Sequence, residues 1–234
     1  MLKSKLILLI LLSFSLILTK VSAQDSTAVN TTEKDRKVAQ TLSLGIAFDY
    51  LKLHTLLIDE SQKWEGALNL KFFDKVSAIG EYGIAELRPE EAYNNADYIS
   101  SGNYYRVGVD YHLTVIPNNF LLLGLRYAQA SFDETISYEI ENPVFPNETN
   151  ELSRPNLKAT WFEFVLSSEK NVRRLFGTEI PDILSAGFKF RLKYLQEYDK
   201  FDVVEIKNIP GYGRTNIALN PEFNLYIKFR IPLF

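Results

Sequence analysis

Tyr105-Arg106-Val107-Gly108-Val109-Asp110-Tyr111-His112-Leu113 is a run in which every second residue is apolar. Successive side chains of a strand point to opposite faces. One face of this strand is therefore wholly apolar, and the other combines a glycine with Arg106, Asp110 and His112. The same period recurs along the chain. Leu42 to Tyr50, Trp64 to Phe72, Val76 to Glu86, Leu121 to Ala128, Trp161 to Leu166, Leu184 to Tyr194 and Phe223 to Leu233 each alternate an apolar face with a polar or small one. A helical period is weak everywhere, the best case being a turn or two over Glu169 to Phe176. The pattern predicts an all-β chain of eight strands.

The polarity of the two faces separates the possible barrels. A soluble barrel turns its apolar face inward, whereas an outer-membrane barrel turns it to lipid and lines its lumen with polar groups. Here the polar faces mix Gly and Ala with single charges, as an eight-stranded lumen filled by side chains requires. Tyr50, Phe72, Tyr82, Tyr105, Tyr127 and Tyr194 stand near strand ends, where interfacial girdles sit. The connections run Lys52–Lys63, Asp74–Lys75, Leu87–Asn103, Thr114–Phe120, Ala130–Leu157, Ser167–Asp182 and Leu195–Asn216. From the third onward the odd ones are long and the even ones shorter, Ser167–Asp182 fitting least well. Short periplasmic turns and long outer loops produce that alternation. The expectation is an eight-stranded antiparallel up-and-down transmembrane β-barrel over 41–234. Its terminal Phe234 is the kind of aromatic end that barrel assembly machinery recognises, in the polar register unless Pro232 introduces a bulge.

The 234-residue chain opens with Lys3 and Lys5, an apolar core from Leu6 to Leu18, and Val21-Ser22-Ala23. That is the layout of a secretory signal peptide over 1–23, too short for a membrane span of roughly 20 apolar residues. Residues 24–40 are polar without periodicity and read as a flexible periplasmic leader. Without Lys3, Lys5 and Lys20, the 26 bases fall to 23 against 29 acids, a net charge of about −6. No basic stripe exists to neutralise nucleic-acid phosphates. The absence of cysteine excludes disulfides, thiol nucleophiles, Cys-based zinc sites and a lipoprotein anchor, and suits an envelope protein that folds without oxidation.

Gly124-Leu125-Arg126-Tyr127, Trp161-Phe162-Glu163-Phe164, Gly187-Phe188-Lys189-Phe190-Arg191 and, most distinctively, Ile209-Pro210-Gly211-Tyr212-Gly213 resemble a Bacteroidota outer-membrane β-barrel family described as a domain of unknown function. The resemblance runs from about Leu44 to the terminus. It implies a fold and an outer-membrane location and assigns no catalytic residue.

Eight residues form a candidate lumen charge network: Glu81, Arg106, Asp110, Arg126, Glu163, Lys189, Arg191 and Lys193. Charges away from water must be paired, and eight strands enclose too little space for a wide channel. The network is therefore read as a salt-bridged filling, with Glu163 offsetting Lys189, Arg191 and Lys193 on the next strand. His112 reads as a paired structural histidine. His54, Asp59 and Ser61 compose the outline of a catalytic set, but triads are recognised by geometry rather than proximity in sequence. Glu90-Glu91, Asp97 and Asp133-Glu134 read as a solvated loop face rather than a calcium site. Gly211 and Gly213 read as turn glycines, and the Asn30 and Asn147 acceptor patterns carry no weight in a bacterial envelope protein.

The expected function is that of a non-enzymatic outer-membrane barrel with a closed lumen and surface loops that contact envelope or external partners. No cofactor or metal is expected; its partners are outer-membrane lipid and the assembly machinery, not nucleic acid. Two alternatives stand beside it, a lipid-modifying outer-membrane enzyme and a soluble periplasmic barrel carrying an apolar ligand.

Overall fold

Alternating sequence zips into a single closed antiparallel ring of eight strands. The computed structural model describes residues 42–50, 61–72, 75–89, 92–93, 96–116, 118–140, 148–172, 174–175, 178–179 and 183–233. The ring contains β1 (Leu42–Asp49), β2 (Ser61–Phe72), β3 (Val76–Leu87), β4 (Ala96–Ile116), β5 (Asn119–Ile140), β6 (Glu148–Asn171), β9 (Leu184–Tyr198) and β12 (Leu219–Pro232). Two short ribbons, β7 (Arg174–Leu175) with β8 (Thr178–Glu179) and β10 (Asn208–Ile209) with β11 (Gly213–Arg214), stand outside it. Pairing of β1 with both β2 and β12 closes the ring and removes the free edges an open sheet exposes.

The wall is uneven in height. β1 has 8 residues, whereas β4, β5 and β6 have 21, 22 and 24. Much of what the sequence presents as long loop is therefore strand. β5 continues to Ile140 and β6 begins at Glu148, so the Ala130–Leu157 connection shrinks to 141–147. β4 begins at Ala96, inside the expected Leu87–Asn103 connection. The expected helical turn is replaced at its start by strand, because Glu169 pairs with Phe120 and Gly187. Pro232 pairs in register with Ser43, with no bulge between β12 and β1. Asn118, at φ 68°, turns the tight β4–β5 hairpin.

The two faces exchange polarity partway up. On the lower part of β5, Leu123, Leu125 and Tyr127 are exposed on the outside while Gly124 and Arg126 are buried inside. Above Tyr127 the buried positions are Ala128, Ala130 and Phe132, and Ser131 and Asp133 face out. β6 does the same. Phe162 and Phe164 are outside opposite Glu163, but higher up Lys158 is outside while Trp161, Ala159 and Leu157 are buried. A row of aromatic residues marks the level of exchange. Tyr82 stands opposite Tyr105, and Tyr127 opposite Phe162, which in turn neighbours Tyr194. The Tyr127 and Phe162 ring centroids are 5.6 Å apart, and the Tyr105 hydroxyl donates to Gln129 Oε1 at 2.6 Å. Below this row the outer face of β4 is apolar from Tyr105 to Val115. That is about 33 Å of strand, or about 25 Å of height at a tilt of roughly 40°.

Candidate functional site

Under the aromatic row the lumen is filled by an ionic layer. Arg106 is its centre: Nε donates to Glu163 Oε1 at 2.7 Å, Nη1 to Glu65 Oε2 at 2.7 Å and to Glu81 Oε2 at 3.4 Å. Arg191 binds Glu163 Oε2 at 2.7 Å, Glu81 Oε2 at 2.8 Å and Glu65 Oε1 at 3.0 Å. Lys189 reaches Glu81 Oε1 at 2.9 Å, and Lys193 reaches Glu222 Oε2 at 2.7 Å. The layer thus joins four carboxylates to four cations. Both arginines and Glu163 are essentially fully buried, where a charge without partners is costly. Glu163 also accepts from the Trp161 indole at 2.7 Å, which ties the layer to the apolar packing above it.

A second polar layer lies towards the short-turn end. Arg126 Nη2 donates to Asp110 Oδ1 at 2.5 Å. Glu169 gathers Lys228, Arg230 Nη2 at 2.7 Å and the Tyr226 hydroxyl at 3.0 Å. His112 Nε2 is 2.8 Å from Ser77 Oγ, to which Asn69 also donates at 3.0 Å. Ser77 is fully buried, so this pair is a packed link rather than an exposed nucleophile and base.

The eight residues of the charge network therefore separate into two groups. Glu81, Arg106, Glu163, Lys189, Arg191 and Lys193 meet in the upper layer, whereas Asp110 and Arg126 pair in the lower one. The expected role of Glu163 is only partly realised. It binds Arg191, but Lys189 turns to Glu81 and Lys193 to Glu222. Glu65, Glu222, Glu169, Lys228 and Arg230 complete the layers and were missing from the expected set. Alternation places Lys228 and Arg230 on the polar face of β12, and that was the available signal. Partner choice across the lumen depends on ring closure, which no local pattern reveals.

The segment 199–218 folds into the upper mouth as a plug. Ile206, Ile209 and Tyr212 are buried against Tyr104, Phe132, Leu157 and Trp161, and the Tyr212 ring meets Trp161 edge-on with centroids 5.8 Å apart. Lumen cations hold its tip: Arg106 Nη2 donates to the Gly211 carbonyl at 3.1 Å, and Lys193 Nζ donates to the Gly211 and Tyr212 carbonyls at 2.9 Å each. Gly211 has φ +80°, and a Cβ there would lie 2.5 Å from Tyr104 Cγ. Only glycine meets both conditions without strain. Higher up, the Tyr98 hydroxyl donates to the Asn208 carbonyl at 3.3 Å. Burial, reinforced by the neighbouring Glu134 carboxylate, pushes the Tyr98 phenol well above its ordinary value. Between the plug and the low side of the wall lies a cleft of about 450 Å³ lined by Lys63, Lys193, Tyr212, Arg214 and Asn220 among others.

His54 and Asp59 lie outside the described residues, as do Glu90, Glu91, Asn147 and Phe234, and Ser61 begins β2. Asp133 accepts from the Asn156 amide at 2.8 Å, and Glu134 is buried in an ion pair with Arg154. Among the described residues, no group of three or more His, Asp or Glu side chains could hold a metal ion.

Residues 2–234 match the family described as Domain of unknown function (DUF6048). No curated protein matches the chain significantly. Among solved structures, the crystal structure of the N-terminal β-barrel domain of Pseudomonas aeruginosa OprF is similar with a TM-score of 0.36 and 12% identity, over 82% of this chain and 98% of that one.

Proposed function

The chain belongs to the DUF6048 family, and from that premise we propose that it is an integral outer-membrane barrel protein of a Bacteroidota-type envelope. It works by binding rather than catalysis, and its lumen is closed. The strands below the aromatic row cross the bilayer. The tall β4–β6 wall and the plug stand outside the cell and contact envelope components or external partners. Export follows the signal peptide, and insertion follows the barrel assembly machinery.

One observation carries this reading: the exchange of face polarity along uninterrupted strands. A bilayer is apolar over roughly the 25 Å of a barrel's outer band and gives way abruptly to water. An outer face that is apolar for about that height and polar above it is matched to such a boundary. A soluble carrier would instead turn its aromatic residues inward, and Phe162, Phe164 and Phe190 are 47%, 47% and 39% exposed.

Because the chain lacks cysteine, single cysteines can report the boundary. In intact cells a membrane-impermeant maleimide should label Ser131→Cys and spare Leu125→Cys, and the chain should fractionate with outer membranes and shift on gels after boiling. Recovery in the soluble periplasm, or labelling at both positions, would overturn the proposal.

A further inference from the structure

We propose that the outer wall over β1–β4 carries a seat for one acyl chain of an outer-leaflet membrane lipid. The inference rests on the membrane reading above and adds a preferred lipid position to it. The seat is a groove of about 370 Å³ on the outside of the barrel, just below the aromatic row. Two neighbouring rows of outward side chains build it. The upper row runs Phe48, Gly66, Tyr82, Tyr105, and the lower row Ile46, Leu68, Gly80, Val107. A glycine interrupts each row on adjacent strands; the Trp64 ring lies over Gly66, 3.4 Å from where a Cβ would stand, and the depression opens at Gly80. Trp64, Tyr82 and Tyr105 frame its upper end, and Ile46, Leu68 and Val107 its lower walls.

Gly80 is the informative position. Glycine inside a strand weakens it and often marks a bulge, a tight bend at a barrel corner, a close backbone approach or an approaching ligand. No register shift interrupts β2–β3 or β3–β4, which removes the bulge. A Cβ at Gly80 would meet nothing within 4 Å, which removes the close backbone approach. The contrast with other strand glycines is sharp: a Cβ at Gly102, Gly108 or Gly187 would come within 2.3 Å of a backbone carbonyl oxygen. Those glycines admit protein atoms, and Gly80 leaves space on the apolar outer face.

The occupant follows from size and position. The groove is lined by 12 residues, short of the roughly 20–30 a side of a stable protein interface, so a second copy is disfavoured. Its volume is within the roughly 300–1,000 Å³ of small-ligand sites. It continues the apolar band and ends at the tyrosines where headgroups would begin. In a bilayer the gain comes from packing rather than from leaving water, so the preference is for a shape, a single chain against aromatic walls.

The test uses the full mature chain folded into phosphatidylethanolamine nanodiscs doped with a phosphatidylethanolamine bearing a mid-chain diazirine. After photolysis and peptide mapping, adducts should be several-fold enriched on Ile46, Leu68 and Val107 relative to Leu125, Phe164 and Phe190 across the barrel. Gly80→Leu should abolish the enrichment, whereas Ala78→Leu on the same strand and face should preserve it. If Gly80→Leu fails the boiling-shift test for folding, Gly80→Ala should still halve the enrichment. Even labelling around the band, enrichment that survives a folded Gly80 variant, or groove-to-groove crosslinks between two copies would each overturn the seat while leaving the membrane reading intact. No adduct anywhere on the band would overturn both.

Discussion

β5 is two strands in one ladder. From Leu121 to Tyr127 it shows Leu121, Leu123 and Leu125 to the outside and Leu122, Gly124 and Arg126 to the lumen. From Ala128 to Ile136 it shows Gln129, Ser131 and Asp133 to the outside and, apart from Glu134 in its ion pair with Arg154, alanine, phenylalanine and isoleucine to the interior. Backbone pairing with β4 continues across the boundary, so hydrogen bonding does not distinguish the halves. What differs is what fills each interior. The lower interior is filled by ion pairs, and burial of the arginines and Glu163 is tolerable because each is paired with opposite charge. The upper interior is filled by a plug packed on Trp161 and Phe132 as in a soluble core. One wall thus holds two opposite cores, joined where Arg106 and Lys193 grip the carbonyls of Gly211 and Tyr212.

The largest effect should come from the lower core. Glu163→Gln leaves Arg106 and Arg191 short of a partner at a cost of roughly 3–5 kcal/mol, read as a lower urea midpoint of the detergent-folded chain. Arg191→Gln should cost less in that background than in the wild type. Strictly additive losses would mean that Glu163 and Arg191 do not act as a unit.

Next comes the outer surface of the same half. Lysine at Leu125, Phe164, Phe190 or Ile227 should impair assembly by about 2–4 kcal/mol. Lysine at Gln62 or Ser131, outward but above the row, should stay within about 0.5 kcal/mol. Equal tolerance in an in-vivo folding assay would erase the distinction between the halves.

The upper core should yield on its own. Gly211→Ala forces a strained φ and a contact with the Tyr104 ring, at a cost of order 1–3 kcal/mol. Hydrogen exchange over 206–214 should quicken while the lower barrel keeps its urea midpoint. A matching drop in that midpoint would show that plug and ionic layer open together.

The smallest effect is on pH. The folded state raises the Tyr98 phenol, so its contribution is complete below the ordinary tyrosine value of about 10 and is lost as pH rises towards the folded value. Exchange of the plug amides should accelerate above about pH 10 beyond the intrinsic rate increase, and Tyr98→Phe should remove that extra dependence. An identical pH profile in the variant would assign the effect elsewhere.

Strand content was legible wherever apolar residues faced one way in a steady phase: all eight ring strands contain a segment that alternation picks out. The tall extensions were not. In Gln129-Ala130-Ser131-Phe132-Asp133 the alternation continues with its phase reversed, the smaller and apolar residues now occupying the positions that had been polar. A reading that holds one phase sees the strand stop at Ala128. Eight lumen charges were legible for the same reason, since inward charge stands out on the polar face of an alternating strand, whereas Glu65, Glu169, Glu222, Lys228 and Arg230 were not singled out.

Local chemistry by itself therefore determined which residues form strands and which face of each lower strand is polar, because side-chain direction follows directly from backbone period. It also determined that Ile209-Pro210-Gly211-Tyr212-Gly213 must turn. Only the tertiary structure decided that Lys193 pairs with Glu222 rather than Glu163, that Glu65 reaches both Arg106 and Arg191, and that the turn descends into the mouth. These contacts join residues up to 126 positions apart. They exist because closing the ring confines all the inward charges to one narrow, poorly solvated space, where each cation binds the nearest carboxylate whichever strand supplies it.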